Sequence, residues 1–294
     1  MLQRNFTEEQ VMFREAYRKF LAAEIVPHME EWREAGIVDR SAFSKAGAQG
    51  FLMIWPDEKY GGMGDDDFRF EQVIMEECAY ARVGDWYNTL HSRLVGPYLT
   101  RFGSEEQCQR FLPGCVSGDT ILAIAMTEPD AGSDLAGMRS TAVEQDDHWL
   151  LSGSKTYISN GINADLVVVA AKTDPENNPH AMTLFLVERG MEGFERGRNL
   201  KKMGLKGQDT AELFFNDVKV PKANVLGEPG KGFIYLMEGL AEERLIGACG
   251  YLAAGQLSWD LTAEFVRERK AFGKPVAHFQ NTQFKLAELR TKLD

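Results

Sequence analysis

The stretch Ala125–Asp134 reads A-M-T-E-P-D-A-G-S-D, and the pattern of the chain changes on either side of it. The apolar run Thr120–Ala125 leads into it and is typical of a buried strand. The stretch then breaks at Pro129, Gly132 and Ser133. A strand that opens into a loop of small residues lets the backbone approach a flat, polar ligand closely. The sequence therefore predicts that this loop holds a cofactor in a cleft between layers of secondary structure.

The residues before the loop have the pattern of a helical domain. Thr7–Gln10 and Ser104–Gln107 each match a capping box, in which a cap hydroxyl and the side chain three residues later satisfy free N–H groups. We expect one helix over Trp86–Arg101, kinked at Pro97. We expect the helix after Ser104 to be short and to end near Leu112.

The pattern after the loop is that of a β domain. Frequent turns separate short apolar and β-branched runs, among them Ser152-Gly153 and Asn177-Asn178-Pro179. Many short strands with such turns predict an antiparallel barrel or sandwich. The predicted strands are Ile121–Met126, Thr141–Gln145, Trp149–Leu151, Lys155–Ser159, Leu166–Ala171, Met182–Val187 and Ala211–Phe215.

The last part of the chain is predicted to be helical again. A long helix is expected over Phe233–Arg269, a firm stop follows at Phe272–Pro275, and the sequence ends inside a further helix, Phe279–Leu293. The expected fold is thus multidomain α+β. Its predicted domains are an N-terminal α-helical domain (1–118), a central antiparallel β domain (119–230) and the first half of a C-terminal α-helical bundle (231–294).

Composition and missing motifs exclude several classes of function. The 294 residues carry a net charge of -11, which argues against a nucleic-acid partner. The sequence has no C-x-x-C pair, and its five histidines are not spaced as metal ligands, so no metal site is predicted. Dinucleotide-binding, P-loop and serine-hydrolase motifs are also absent from the sequence. Without a membrane span or a secretory segment, we expect a cytoplasmic protein, with a mature mitochondrial matrix protein as the alternative.

Several segments together resemble the acyl-CoA dehydrogenases, flavin enzymes that desaturate fatty-acyl thioesters. Ala125–Asp134 resembles their signature, and Gly153–Gly161 is similar to their second flavin-contacting segment. Lys202–Leu213 resembles the end of their β domain, while Glu243-Arg244 and Arg269–Gln280 resemble their long C-terminal helix and the turn after it. The resemblance covers almost the whole chain. It is closest to the long-chain and branched-chain members, because an acid, Glu243, directly precedes the arginine.

The resemblance implies FAD as cofactor, acyl-CoA as substrate and an electron-transfer flavoprotein as electron acceptor. It also implies a homotetramer, a dimer of dimers, because two of the matching positions reach the FAD of a neighbouring subunit. Those two are Arg269 and Gln280. The other cofactor-binding residues that it implies are Met126, Thr127, Gly132, Ser133, Tyr157, Ile158 and Ser159.

Desaturation needs a base for the weakly acidic α-proton and an acceptor for the β-hydride. In this family the base is a glutamate in an apolar cleft, where desolvation raises its pKa toward the operating pH. Some members carry it on the long helix just before an arginine, so the resemblance implies Glu243; the alternative is a solvated helix acid. Glu242 is the fallback, and Ser133, Glu242 and Arg244 are the implied substrate-binding residues. For Arg244 a packing salt bridge is an equal alternative.

Four further interpretations stay open at this point. An acyl-CoA oxidase or flavin hydroxylase on the same fold would react with oxygen, and an inactive truncated fragment would bind no FAD. Trp86 and Tyr87 are expected to limit the acyl pocket through their bulk. A basic cluster could attract CoA phosphates, although a solvated loop is the simpler interpretation; its members are Arg196, Arg198, Lys201, Lys202 and Lys206.

Overall fold

The computed structural model describes residues 5–174, 178 and 181–294. Asn177, Pro179 and His180 lie outside the described residues, and with them most of one predicted turn. The first part of the chain is helical, as predicted. Its α-helices are α1 (Glu8–Phe20), α2 (Met29–Ala35), α3 (Ser41–Ala48), α4 (Arg69–Tyr80), α5 (Gly96–Phe102) and α6 (Glu105–Ser117).

Both predicted capping boxes form. The Thr7 hydroxyl accepts from the backbone N–H of Gln10 (3.2 Å), and the Gln10 side chain accepts from the N–H of Thr7 (3.0 Å). Ser104 and Gln107 exchange the same pair of bonds. Gln107 also donates to the carbonyl of Ala223 (2.8 Å), so the start of α6 is tied to the far end of the β region.

The prediction that α6 ends near Leu112 is wrong. The helix runs through Pro113 to Ser117 and stops at Gly118, whose φ of 80° places it in the left-handed region that glycine adopts without strain.

The prediction of one kinked helix over 86–101 also needs correction. Trp86 and Tyr87 lie in the turn before the helix. A π-helical segment, Leu90–Val95, comes first, and α5 follows it. Pro97 lies in the first turn of α5, where its missing N–H breaks no intrahelical bond. The proline therefore marks the start of an α-helix, and π-helical turns of this kind are frequent at functional sites.

The β region is a single twisted sheet with strand order β6-β7-β3-β2-β4-β5-β8, and β1 pairs with β4. Most neighbours are antiparallel, as predicted, but β1–β4 and β2–β4 are parallel pairs. The strands are β1 (Leu122–Ala125), β2 (Thr141–Glu144), β3 (His148–Ser159), β4 (Leu166–Lys172), β5 (Met182–Glu188), β6 (Phe194–Asn199), β7 (Thr210–Pro221) and β8 (Val225–Leu226).

Strand β3 is continuous, whereas the sequence predicted two strands with a turn at Ser152-Gly153. Gly153 has a φ of 148° at a bulge in the pairing with β7. A Cβ at this position would lie 2.2 Å from the Ser140 hydroxyl, so the close approach of β2 requires glycine there. The polar edge strand β6 and the two-residue β8 were not predicted, because neither carries an apolar run.

The last part of the chain is the long helix α7 (Gly232–Glu268), a hairpin of β9 (Lys270–Ala271) and β10 (Lys274–Pro275), and α8 (Gln280–Leu293). This agrees with the predicted helix, stop and helix. Glycines of α7 admit large side chains from neighbouring helices: a Cβ at Gly250 would lie 2.5 Å from the Met75 methyl group. None of the helices in the described part of the chain is long and apolar enough to span a bilayer.

One hydrophobic cluster joins all three parts of the molecule. It contains Leu99 of α5, Leu112 of α6, Leu122 of β1, Val168 of β4 and Leu236 of α7, each almost fully buried. Burying such side chains contributes roughly 1.5–3 kcal/mol each. The cluster therefore fixes the first turns of α7 against α5 and against the strand that leads into the loop at residues 126–134.

Candidate active site

The loop at residues 126–134 lies beside the end of β3. The carbonyl of Thr127 accepts from the backbone N–H of Thr156 (2.9 Å). Met126 and Thr127 are half-buried, while Gly132 and Ser133 are exposed. A Cβ at Gly132 would meet nothing within 4 Å, so the outer side of this loop is open for a ligand.

A buried ion pair that the sequence did not reveal holds this loop to β3. Lys155 Nζ lies 2.8 Å from Glu128 Oε1 and 3.0 Å from the carbonyl oxygen of Met126. The two charged side chains are 0% and 5% exposed. Glu128 also accepts from the backbone N–H groups of Arg139 (2.6 Å) and Ser140 (3.0 Å). The Glu128 carboxylate thus accepts three of the bonds that hold the loop in place.

The pKa values of this pair shift in the same direction. Burial lowers the pKa of Lys155, although Glu128 opposes the shift. Burial would raise the pKa of Glu128, but Lys155 and the backbone donors outweigh it, so the pKa of Glu128 is lowered. Asp130, a second acid of the loop, is exposed beside Arg139 (3.3 Å).

Tyr157 is turned outward by a bulge. The pairing of β3 with β7 shifts between Lys155 and Ile158, and Tyr157 has a φ of 59°, which is unusual for a bulky residue. Its side chain is 69% exposed, whereas Ile158 is buried in the core of the sheet. Ser159 is half-buried. The bulge thus presents an aromatic face beside the open loop, while Ile158 offers only its backbone to a ligand.

The two neighbouring acids of α7 have different surroundings. Glu242 is ion-paired with Arg93 and Arg101. Glu243 is half-buried, and the hydroxyl of Tyr98 donates to it at 3.5 Å. Burial raises the pKa of Glu243, with Tyr98 and the exposed Arg244 opposing. Within the described part of the chain, Glu243 forms no ion pair with a guanidinium group, and its pKa is shifted toward the range of a general base.

A largely apolar cavity of about 350 Å³ begins one helical turn from Glu243. On α7, positions 247, 250, 251 and 254 follow Glu243 at spacings that keep them near its face of the helix. Glu243 also contributes to a raised pKa of Tyr87, after burial and Tyr251, which places Tyr87 near both acid and cavity. The lining includes Met75, Cys78, Ala79, Gly84, Trp86, Tyr87, Asn88, Thr89, Leu205, Gly247, Gly250, Tyr251 and Ala254.

The structure does not bring Arg269 and Gln280 to this cleft. Both are exposed, at the end of α7 and the start of α8. Arg269 is 26 residues beyond Glu243, or roughly 40 Å along the helix at ~1.5 Å per residue. One member of the predicted basic cluster, Arg196, has a structural role. Its guanidinium group donates to the carbonyls of Gly161 (3.0 Å) and Ala164 (2.8 Å).

Glu71 of α4 is a buried acid near the site that sequence reasoning missed, because it sits among ordinary helix acids. It is 3% exposed, and Thr89, which lines the cavity, donates to it at 3.3 Å. Burial raises the pKa of Glu71 to about 7, with Arg93 opposing.

We expect Glu71→Gln to stabilise the protein at high pH relative to the unchanged chain. A carboxyl group whose pKa is raised in the folded state stabilises that state fully below the unfolded pKa and loses this contribution as pH rises through the folded pKa, here between the ordinary value of 4.5 and about 7. The free energy of unfolding is measured with urea at about pH 5 and at about pH 8. Between these two pH values, the variant should gain on the order of 3 kcal/mol in this free energy relative to the unchanged chain. A pH-independent difference would contradict this account of Glu71.

In the described residues, no group of three or more histidine, cysteine, aspartate or glutamate side chains is arranged to hold a metal ion. Cys78, Cys108 and Cys115 are buried thiols.

Comparison with known proteins identifies the family. Models of the N-terminal, middle and C-terminal domains of acyl-CoA dehydrogenase match residues 7–119, 123–218 and 230–294. The chain is 48% identical to the mitochondrial long-chain specific acyl-CoA dehydrogenase of Sus scrofa, over 99% of this chain and 68% of that protein. It is 39% identical to the mitochondrial isovaleryl-CoA dehydrogenase of Pongo abelii, over 98% of this chain and 69% of that protein.

Solved structures agree with this result. An acyl-CoA dehydrogenase from Geobacillus kaustophilus superimposes with a TM-score of 0.95 at 51% identity, covering 99% of this chain and 77% of that one. An acyl-CoA dehydrogenase from Bacillus anthracis, complexed with FAD, gives a TM-score of 0.90 at 31% identity, covering 98% of this chain and 50% of that one.

The fold is that of an α+β class of enzymes with a helical N-terminal domain, a central β-sheet domain and C-terminal helices. The chain belongs to the acyl-CoA dehydrogenase family. This confirms the predicted family, fold class and enzyme class. It also confirms the predicted likeness to long-chain and branched-chain members of the family. Acyl-CoA dehydrogenases are FAD enzymes, so the predicted cofactor agrees with that of the family.

Proposed function

We propose that this chain oxidises a fatty acyl-CoA to the trans-2-enoyl-CoA with FAD as cofactor and passes the electrons to an electron-transfer flavoprotein. The observation that carries the proposal is Glu243, a half-buried acid that lies one helical turn from an apolar cavity and accepts a hydrogen bond from Tyr98. An apolar cavity suits an acyl chain, and an acid with a raised pKa beside it suits removal of the α-proton. Glu243 is the proposed base.

The residues of the loop and the bulge fit a flavin. Met126 and Thr127 offer backbone and hydroxyl groups, Gly132 leaves open space, and Tyr157 presents an exposed aromatic face. When bound, FAD supplies the acceptor for the β-hydride. Ser133, on the outer side of the loop, and Arg244, exposed beside the base, are proposed to contact the CoA side of the substrate.

The proposed assembly is a homotetramer built as a dimer of dimers. Arg269 lies at the end of α7, far from Glu243, and Gln280 lies at the start of α8, so we assign both to the FAD of a neighbouring subunit. We also retain the proposed domain boundaries 1–118, 119–230 and 231–294 and a cytoplasmic location, the latter on the likeness to bacterial members of the family.

The substrate class is proposed to be short to medium acyl chains. A cavity of about 350 Å³ is near the small end of the range for ligand pockets, roughly 300–1,000 Å³. Trp86 closes part of it and cannot move aside, because its ring packs against Phe43 (4.8 Å between centroids) and its N–H donates to Tyr17 (3.2 Å). Tyr87 adds further bulk beside it and is only half-buried.

We expect Tyr87→Ala to move the chain-length optimum toward longer substrates. Removing the ring enlarges the cavity, and each accommodated methylene is worth roughly tenfold or more in kcat/KM. The measurement is kcat/KM for a series of acyl-CoAs of increasing length. The ratio of kcat/KM for long substrates to kcat/KM for short ones is compared between the variant and the unchanged enzyme, so that a general loss of activity cancels. An unchanged profile, or a parent enzyme that already prefers the longest chains, would contradict this limit.

Product analysis tests the reaction itself. Under anaerobic conditions with an electron-transfer flavoprotein as acceptor, we expect one enoyl-CoA for each acyl-CoA consumed. Steady hydrogen peroxide release in air at a comparable rate would instead favour an acyl-CoA oxidase, and a hydroxylated product would favour a flavin hydroxylase. A chain that binds no FAD would favour the inactive fragment.

A further inference from the structure

Tyr98 of α5 reaches α7 through a notch formed by a glycine. The tyrosine is buried (2% exposed), and its hydroxyl lies over Gly239. A Cβ at position 239 would be 2.3 Å from the Tyr98 oxygen and 2.9 Å from the ring carbon that bears it, so only glycine leaves room for this hydroxyl. Residues 239 and 243 are four apart and share a helix face, which brings the hydroxyl within 3.5 Å of Glu243 Oε1.

Residues 93–101, which include Tyr98, also bind α7 at Glu242, the neighbour of the proposed base. Arg93 of the π-helical segment and Arg101 of α5 both pair with Glu242, the residue directly before the base. Arg93 is also 2.5 Å from Asp66. Residues 93–101 thus engage both acids: two guanidinium groups bind Glu242, and one hydroxyl donates to Glu243. This fixes the rotation of α7 relative to α5.

We propose that Tyr98 is a positioning residue for the reaction, its hydroxyl holding the carboxylate of Glu243 one helical turn from the acyl cavity. The proposal rests on the assignment of Glu243 as base. Gly239 is needed for this contact, because it leaves the space that the Tyr98 hydroxyl occupies. A hydrogen bond to the ionised form favours that form, so Tyr98 keeps the base deprotonated to lower pH than burial alone would allow.

The groups that face Glu243 from the packed elements define the expected pH effect. Tyr98 faces it from α5 and Tyr87 from the turn before the π-helical segment, while Arg244 is its charged neighbour on α7. Burial raises the pKa of Glu243, and Tyr98 and Arg244 lower it. Loss of the Tyr98 hydroxyl leaves the burial in place, so the pKa of the base rises.

The test is the pH dependence of anaerobic flavin reduction by acyl-CoA in Tyr98→Phe. We expect the acid limb of the rate profile to move up by about one pH unit, since one donor to the carboxylate is lost. Gly239→Ala should move the limb in the same direction, because its methyl group displaces the hydroxyl. A merely structural role would lower the plateau without moving the limb.

Tyr80→Phe is the matched control. Its hydroxyl donates from α4 to Asp260 of α7 at 2.6 Å, so this variant removes a tyrosine–carboxylate bond to the same helix but away from the base. We expect its acid limb to coincide with that of the unchanged enzyme. Coincident limbs in Tyr98→Phe and the unchanged enzyme would overturn the positioning role. If Glu243→Gln still reduces the flavin, the assignment of the base fails instead, so the two failures are distinguishable.

Discussion

Glu243→Gln is expected to retain FAD and to lose flavin reduction by acyl-CoA. The amide has nearly the shape of the carboxylate but cannot accept the α-proton, and general-base catalysis is worth on the order of 10²–10⁴ in rate. Because Glu243 is not among the residues proposed to hold the flavin, and glutamine has nearly its shape, the variant should bind the cofactor normally. The measurement is the rate of anaerobic flavin bleaching after mixing with acyl-CoA.

Glu238→Gln is the matched control for this variant, since Glu238 is an exposed acid on the same helix. We expect its bleaching rate to equal that of the unchanged enzyme. Glu242 is not expected to replace the missing base, because Arg93 and Arg101 already bind its carboxylate. Bleaching of Glu243→Gln at the normal rate would refute the assignment.

Lys155→Met is expected to have the largest effect on stability and on FAD content. It leaves Glu128 as a buried, unpaired carboxylate and frees the carbonyl of Met126, and breaking a buried pair in this way typically costs about 3–5 kcal/mol. Because this pair holds the loop at 126–134 against β3, FAD should be lost with the loop. Urea unfolding and the flavin content of the purified variant measure the two effects.

Lys222→Met provides a control with the same geometry and different burial. Lys222 Nζ also lies 2.8 Å from a carboxylate oxygen, that of Glu144, but the two side chains are 44% and 58% exposed. An exposed pair of this kind contributes about 0–1 kcal/mol. Similar losses of unfolding free energy in the two variants would contradict the role given to the buried pair.

Local signals in the sequence predicted much of the fold. The capping boxes at Thr7 and Ser104 mark real helix starts, because each is satisfied within four residues. The long helix α7 was also predicted, since no proline interrupts it. The continuity of β3 was not, because Gly153 is a turn signal in isolation, and only its close approach to Ser140 shows why a glycine stands inside a strand.

The candidate site depends on contacts that sequence spacing does not show. Tyr98 and Arg93 lie about 150 residues from the acids they bind, and nothing in their local sequence marks them as partners of α7. Lys155 was included only as part of a flavin-contacting segment, and its burial with Glu128 appears only in the fold. Glu243 was predicted through family resemblance, and the structure adds its half-burial and its donor.

The measurement that tests the account most directly is an anaerobic absorbance titration of the purified chain with acyl-CoAs of increasing length, run beside Glu243→Gln. We predict that both proteins carry oxidised FAD and that acyl-CoA bleaches the flavin of the unchanged chain alone, with shorter chains more effective than the longest. Equal bleaching of both proteins, or a flavin in the unchanged chain that no acyl-CoA reduces, would contradict the central claim that Glu243 is the base of an acyl-CoA dehydrogenase.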